Sequence, residues 1–207
     1  MKSRSEKKWE SQRKILVAAS KRLRREGLRG ASVAAVMDDA GLTHGAFYSH
    51  FENKGELARA ALTEALQENR KRWTARFSSG SWSSHLSKLA SRYLTPKHRD
   101  NLDDGCALAA LCSETARSDP EFQEAYEAEL LKTLRAIEAQ GPDGTDDQKN
   151  EDTLAFFSLL VGSMALSRAV SSNELSDQIL ESAKKAAGRL ASEGVESYGD
   201  FWCMEAG

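Results

Sequence analysis

Residues 41–57 read GLTHGAFYSHFENKGEL. Gly41 and Gly45, the histidines His44 and His50, and the aromatics Phe47, Tyr48 and Phe51 crowd together, and a new helix starts directly after them. Phe47 and Phe51 are four apart, so on a helix both fall on one face, which must be the side turned to a core. The same wheel turns His44, Gly45, Tyr48 and Ser49 outward. A glycine in a helix costs about 1 kcal/mol relative to alanine, a cost that makes sense where something approaches the backbone closely. Thr43, Tyr48 and Ser49 supply hydroxyls and His44 an imidazole, groups suited to phosphate oxygens and base edges. The outer face of this short helix reads as built to touch DNA.

The flanking sequence supports that reading. Before it, SVAAVMDDA predicts a short helix opened by Ser32 as a cap and closed at Gly41, where a left-handed residue is easiest for glycine. Val33, Val36, Met37 and Ala40 give its apolar side. Thr43 sits where it can cap the next helix, and two short helices around so tight a turn make a helix-turn-helix. Further upstream a helix is expected over about Glu6–Glu26, with Trp9, Ile15, Leu16, Ala19 and Leu23 on one arc and Lys7, Lys14, Lys21 and Arg25 opposite. Gly27 and Gly30 end it. Downstream, Asn53 and Glu56 form a capping-box-like start to a fourth helix. Lys54 in its first turn is disfavoured by the helix dipole, and a phosphate at that helix start would offset the cost.

Charge divides the chain in the same place. Of the 207 residues, the first 72 carry 16 Lys and Arg against 9 Asp and Glu, and the rest carry 13 against 22. A basic head on an acidic body points to a head that meets a polyanion. The 40% hydrophobic and 29% charged content is that of a folded globular protein. Alternating Val, Ile and Thr runs are missing, so the expected class is all-α. The N-terminus has no apolar signal core, and LAFFSLLVGSMAL (154–166) is too short to span a bilayer. Three cysteines without metal spacing argue against a disulfide scaffold or a metal site. No cofactor motif is present, and a cytoplasmic location is expected.

The stretch GASVAAVMDDAGLTHGAFYSHFENKGEL, with its Ala40-Gly41 pair, Thr43, Phe47-Tyr48, His50-Phe51 and Lys54, resembles the DNA-binding region of the TetR family of bacterial transcriptional regulators over about residues 9–60. The resemblance implies a third helix that enters the major groove, with Thr43, His44, Gly45 and Tyr48 facing DNA and Lys54 on a phosphate. Ser32 and Ser49 join them as candidate DNA contacts, and His50 is expected to support the domain. Met37 departs from the small residue that many members have there. The implied organisation is a helix-turn-helix domain over 1–52 and a ligand-binding and dimerisation domain over 53–207, about nine helices in all. The implied function is a repressor that binds a two-fold-symmetric operator as a homodimer through its last two helices and leaves it when a small-molecule inducer binds.

The body is read on weaker signals. Helix four is expected to reach about Phe77, and SSGSWSS (78–84) breaks the chain before a helix to about Leu94. TPKHRDNLDDG (95–105) reads as a polar loop, and CALAALCSETA as a buried segment. Asp119-Pro120-Glu121 starts a helix that reaches about Ala139, and 141–150 reads as an exposed loop. The last two helices are expected near 151–171 and 174–194. The first of these is apolar almost all round, which requires neighbours on every side. Trp82, Tyr93, Phe122, Tyr126, Phe157 and Met164 are candidates to line a ligand cavity, or equally plain core residues. The segment DGCALAALCSETARSDPEF resembles a branch of the family that includes the repressor of N-ethylmaleimide reductase, which makes Cys106 a candidate sensor thiol. The other reading of Cys106 is a packed small hydrophobe; Cys112 reads as core and Cys203 as tail. An enzyme built on Cys106 with His85 or His98 has no motif to order those residues. A helical protein-interaction module without DNA binding is the alternative function.

Overall fold

The computed structural model describes residues 3–74, 81–140 and 146–196, with the side chains of 146–150 and 192–196 left aside. The described elements are ten helices: α1 Arg4–Gly30, α2 Val33–Asp39, α3 His44–Phe47, α4 Lys54–Trp73, α5 Trp82–Tyr93, α6 Pro96–Asp100, α7 Ala107–Thr115, α8 Pro120–Glu138, α9 Asp146–Ala169 and α10 Asn173–Glu196. They are grouped in two compact units, Met1–Arg72 with Asn101–Lys132, and Trp73–Asp100 with Thr133–Gly207.

In the first unit, α1 opens with a capping box. The Glu6 amide donates to Ser3 Oγ at 3.1 Å and the Ser3 amide to Glu6 Oε2 at 2.6 Å. The helix runs past the expected stop at Glu26, with Gly27 at φ 71° as an internal kink. Glu114 of α7 fixes that kink: its carboxylate accepts the Leu28 amide at 2.9 Å and fills the space where a side chain on Gly27 would lie. Ser32 caps α2, accepting the Ala35 amide at 3.3 Å. Gly41 closes the helix at φ 65° while the Leu42 amide reaches back to the Met37 carbonyl at 3.0 Å, the pattern of a glycine-closed helix end. Ile15, Ala19, Leu23, Val36, Met37, Phe47, Phe51, Leu62 and Leu66 form the core. Trp9 departs from the expected arc: it is 60% exposed. The first turns of α1 run ahead of the buried part of the helix, so the indole packs on the Arg13 guanidinium, 5.5 Å from its centroid, instead of on the core.

In the second unit, α5 and α9 both pack on α10. Trp73 meets Tyr93 and Phe157, each at 4.6 Å between ring centroids. The segment read as a polar loop holds the one-turn helix α6. Arg168 of α9 donates to the carbonyls of Arg99 and His98 at 3.0 and 3.1 Å. Arg99 in turn pairs with Asp177 at 2.6 Å. Distant arginine and aspartate side chains stabilise this turn, which local propensity does not reveal. Along α9, Phe156, Phe157, Leu160 and Met164 are buried, but Leu154 and Leu166 are exposed, as are Leu175 and Leu190 on α10. Helix α9 therefore lacks neighbours on one side within the single chain. The expected loop at 141–150 lies partly outside the described residues and becomes helix from Asp146 onward; Cys203 lies wholly outside them.

Candidate nucleic-acid interface

Helix α3 is one turn long, and its two sides separate as the sequence pattern requires. Phe47 and Phe51 stack inside at 5.8 Å. Thr43, His44, Gly45, Tyr48 and Ser49 are exposed, and Tyr48, at 68%, is among the most exposed large side chains. The His44 and Tyr48 rings meet edge to face at 6.1 Å, so they stand on the surface as one aromatic ridge. A Cβ built on Gly45 meets nothing within 4 Å. The fold itself gives no reason for the missing side chain.

The hydroxyls divide by what they have left to offer. Ser49 donates its proton to the Ala46 carbonyl at 2.6 Å, so it faces outward as an acceptor. Ser32 is exposed and spends one lone pair on its helix cap. Thr43 stands at the N-cap position of α3, but its side chain makes no capping bond. The expected cap is thus one of position alone, and the hydroxyl stays available to a partner. At the start of α4, Asn53 Oδ1 accepts the Glu56 amide at 2.9 Å, and the Glu56 carboxylate takes the Glu52 amide at 2.7 Å instead of that of Asn53. The acid leans back by one more residue than a regular box requires. Lys54 is exposed beside it.

The basic stripe of α1 is only partly free. Arg25 pairs with Glu26 at 2.7 Å and Asp103 at 3.3 Å, whereas Lys7, Lys14 and Lys21 have no ion pair among the described residues. Arg22 is held by Asp39 at 2.6 Å, which lowers the Asp39 carboxyl's pKa chiefly through that bond.

Residues 15–61 match the family described as bacterial regulatory proteins, tetR family. This head is a TetR-family DNA-binding domain. A DNA-binding transcriptional regulator is the function class that such a domain carries. The TetR-like fold extends through the chain. A TetR transcriptional regulator from Chloroflexus aurantiacus J-10-FL is similar at TM-score 0.73 and 20% identity, covering 91% of this chain and 97% of its own. NemR of E. coli in its reduced form is similar at TM-score 0.66 and 16% identity, covering 86% and 94%. FadR of Bacillus subtilis in complex with stearoyl-CoA is similar at TM-score 0.61 and 16% identity, covering 88% and 98%. No curated protein sequence matches.

The body residues singled out in the sequence fall into two groups. In the first unit, Cys106 and Phe122 are buried and Tyr126 is half-buried. The Tyr126 hydroxyl donates to the Leu108 carbonyl at 2.9 Å, and burial, then the neighbouring Cys112 and Cys106, push its phenol well above the ordinary tyrosine range. Cys106 is the N-cap of α7. Asn69 of α4 brackets it, donating to the Gly105 carbonyl at 3.2 Å and accepting the Ala107 amide at 2.9 Å. Cys112, expected in the core, is exposed, although it stands one turn on from the buried Leu108. In the second unit, Tyr93, Phe157 and Met164 are buried, and Trp82 stacks on His85 at 5.3 Å. Asn69, Glu114, Ser11 and Trp73 are structural partners that the sequence reading passed over. Their roles depend on contacts across long separations, which periodicity does not carry. Among the described residues no group of three or more His, Cys, Asp or Glu could hold a metal, and no helix is long and apolar enough to cross a membrane.

Proposed function

We propose that the protein is a cytoplasmic repressor that binds a two-fold-symmetric operator as a homodimer and is released by a small-molecule inducer. Residues 1–52 are the reading head and 53–207 the ligand-binding and dimerisation part. One observation carries the reading face: Gly45 is exposed, has open space where a side chain would stand, and is surrounded by Thr43, His44, Tyr48 and Ser49. A partner that needs close backbone approach accounts for that gap, and the free lysines of α1 give it the charge of a polyanion. Tyr48 and His44 reach base edges, Thr43, Ser32 and Ser49 the backbone and grooves, and Lys54 a phosphate.

The exposed leucines of α9 and α10 support the dimer. Leu175 lines a shallow groove between α9 and α10 with Leu159, Ile179, Ala183 and Ala186, interspersed with Ser163, Gln178, Ser182 and Arg189, and a second copy related by a two-fold axis would cover it. Two heads then meet half-sites about 34–36 Å apart. The inducer is placed against the aromatic side chains of the second unit, Tyr93, Phe157 and Met164 beside Trp73, with Trp82 on the same helix as Tyr93. It acts by binding the DNA-incompetent arrangement more tightly than the competent one. An electrophile acting at Cys106, near Phe122 and Tyr126, is the other input. Its access requires the start of α7 to leave Asn69, since the thiol is buried.

The test is a titration of the purified protein against the DNA flanking its own gene and against duplexes selected from a random pool. Saturable binding that weakens steeply with salt is expected, because phosphate contacts release counterions. Tyr48→Ala is expected to abolish it while the dimer stays folded. A folded Tyr48→Ala dimer that binds as the parent does would refute this reading face. Failure of both DNA pools would favour a protein-interaction module.

A further inference from the structure

Helix α3 is a single turn, too short to hold itself in water; it depends on what ties it to α1. Ser11 of α1 and His50, just after α3, meet at 2.8 Å between Oγ and Nε2. The Ser11 hydroxyl has one proton, and that proton is donated to the Lys8 carbonyl at 2.9 Å. Ser11 Oγ is therefore the acceptor, and His50 must carry its hydrogen on Nε2. A neutral ring with Nε2–H leaves Nδ1 bare, and His50 Nδ1 is buried with no hydrogen-bond partner among the described residues. The ring also lies against Phe51, 6.4 Å between centroids. A proton added to this ring must go onto Nδ1, which is buried and has no acceptor among the described residues.

We infer that His50, held neutral with its hydrogen on Nε2, is the positioning residue that latches α3 onto α1, and that protonation at Nδ1 opens the latch and weakens operator binding. The inference rests on the reading of the α3 outer face as the DNA contact. The groups around the ring act in the same direction. Burial first, and then the Lys8 ammonium on α1, hold the His50 pKa below its ordinary value of 6.5. On the path into α4, Glu52 and Lys54 are exposed, and the Glu56 carboxylate is occupied by the Glu52 amide. On α2, Asp39 is taken by Arg22. The sign follows: a ring whose latched form binds a proton less readily than its open form stabilises the latched head above pH 6.5, and that stabilisation is lost as pH falls through the lowered pKa.

The experiment uses the full-length protein and a duplex selected from a random pool by the parent at pH 7.5. Affinity is measured by fluorescence anisotropy from pH 8 to 5.5 for the parent and for His50→Gln, whose amide nitrogen reproduces the Nε2–H donor but does not titrate. The ratio of the two affinities at each pH cancels every other group, since both proteins carry the same ones. The parent is expected to lose affinity relative to His50→Gln as pH falls below 6.5, by at most about tenfold per pH unit, levelling off once the latched ring itself takes up the proton. Ser11→Ala is expected to be weaker than the parent at pH 8. A flat ratio across the range would overturn the latch. Independently of DNA, nitrogen NMR of the free dimer is expected to show His50 as the Nε2–H tautomer, with α3 amide signals shifting or broadening as the ring titrates. An Nδ1–H tautomer, or α3 signals unmoved through the ring's titration, would overturn it even if no duplex binds. Absence of binding at every pH, with the NMR behaviour as expected, would instead sink the DNA reading and leave the latch standing.

Discussion

Replacing Gly45 by alanine separates the needs of the fold from those of DNA. Gly45 has helical backbone angles, since the positive-φ glycines among the described residues are Gly27 and Gly41. The added methyl meets no protein atom within 4 Å. Nothing in the free protein opposes the change, and the unfolded chain loses freedom, so the head gains about 0.4–1 kcal/mol. If the proposed face meets the operator, the same methyl stands in the gap between His44 and Tyr48 where bases approach. Displacing one good side-chain-to-base contact costs about 1–3 kcal/mol. A two-fold dimer bears that cost twice, on the order of 2–6 kcal/mol, which lowers affinity by roughly 30-fold to 10⁴-fold. Thermal unfolding of the variant and anisotropy of a labelled operator duplex read the two effects separately. The expected signature is a melting temperature equal to or above the parent's together with the lost affinity. A Gly45→Ala protein that is no less stable and binds the duplex as tightly as the parent would refute the claim that the gap is kept for DNA.

Leu166→Glu places a charge on the exposed side of α9 near its C-terminal end, where the leucine is 56% exposed in the single chain. The monomer is expected to keep its helix content while the dimer dissociates in sedimentation analysis, and an unchanged dimer would place the interface elsewhere. Asn69→Ala leaves the Gly105 carbonyl and the Ala107 amide without their partner, at a cost of about 2–4 kcal/mol for two buried groups. The midpoint of denaturant unfolding is expected to fall accordingly; if it does not move, the bracket around Cys106 is not structural.

The head was legible in the sequence because its signals are local. Ser32, Gly41 and Asn53 each act within one turn, and the Phe47 and Phe51 pair needs only the helical period to be read. Asp119 before Pro120 worked for the same reason: the Phe122 amide bonds the Asp119 carboxylate at 2.9 Å. Where long-range contacts decide, the reading went astray. Trp9 obeys the helical period but lies on turns of α1 ahead of the core. Cys112 stands one turn on from the buried Leu108 and is exposed all the same, since its neighbours there come from outside α7. The turn at Pro96–Asp100 is fixed by Arg168 and Asp177, side chains about 70 to 80 residues away. The exposed side of α3 was legible in residue types and spacing, whereas the free or engaged state of each hydroxyl had to come from geometry.

The contacts of α7 bear on how a signal can reach that face. Its first residues are bracketed by Asn69 of α4, and its Glu114 holds the Leu28 amide at the Gly27 kink of α1. The α4 helix starts with Lys54 at the reading face, and α1 carries Ser11, which holds His50. Both helices that flank the reading turn are therefore fastened to α7, one near each of its ends. The fastening at α1 tolerates little change, because Gly27 sits at φ 71° with the Glu114 carboxylate where a Cβ would be. A small displacement of α7 cannot be absorbed at that point without moving α1 or breaking the bond to Leu28. Packed elements joined in this way shift between discrete arrangements instead of deforming smoothly, and Cys106 caps the element that would have to move, with Tyr126 of α8 bonded to its Leu108 carbonyl.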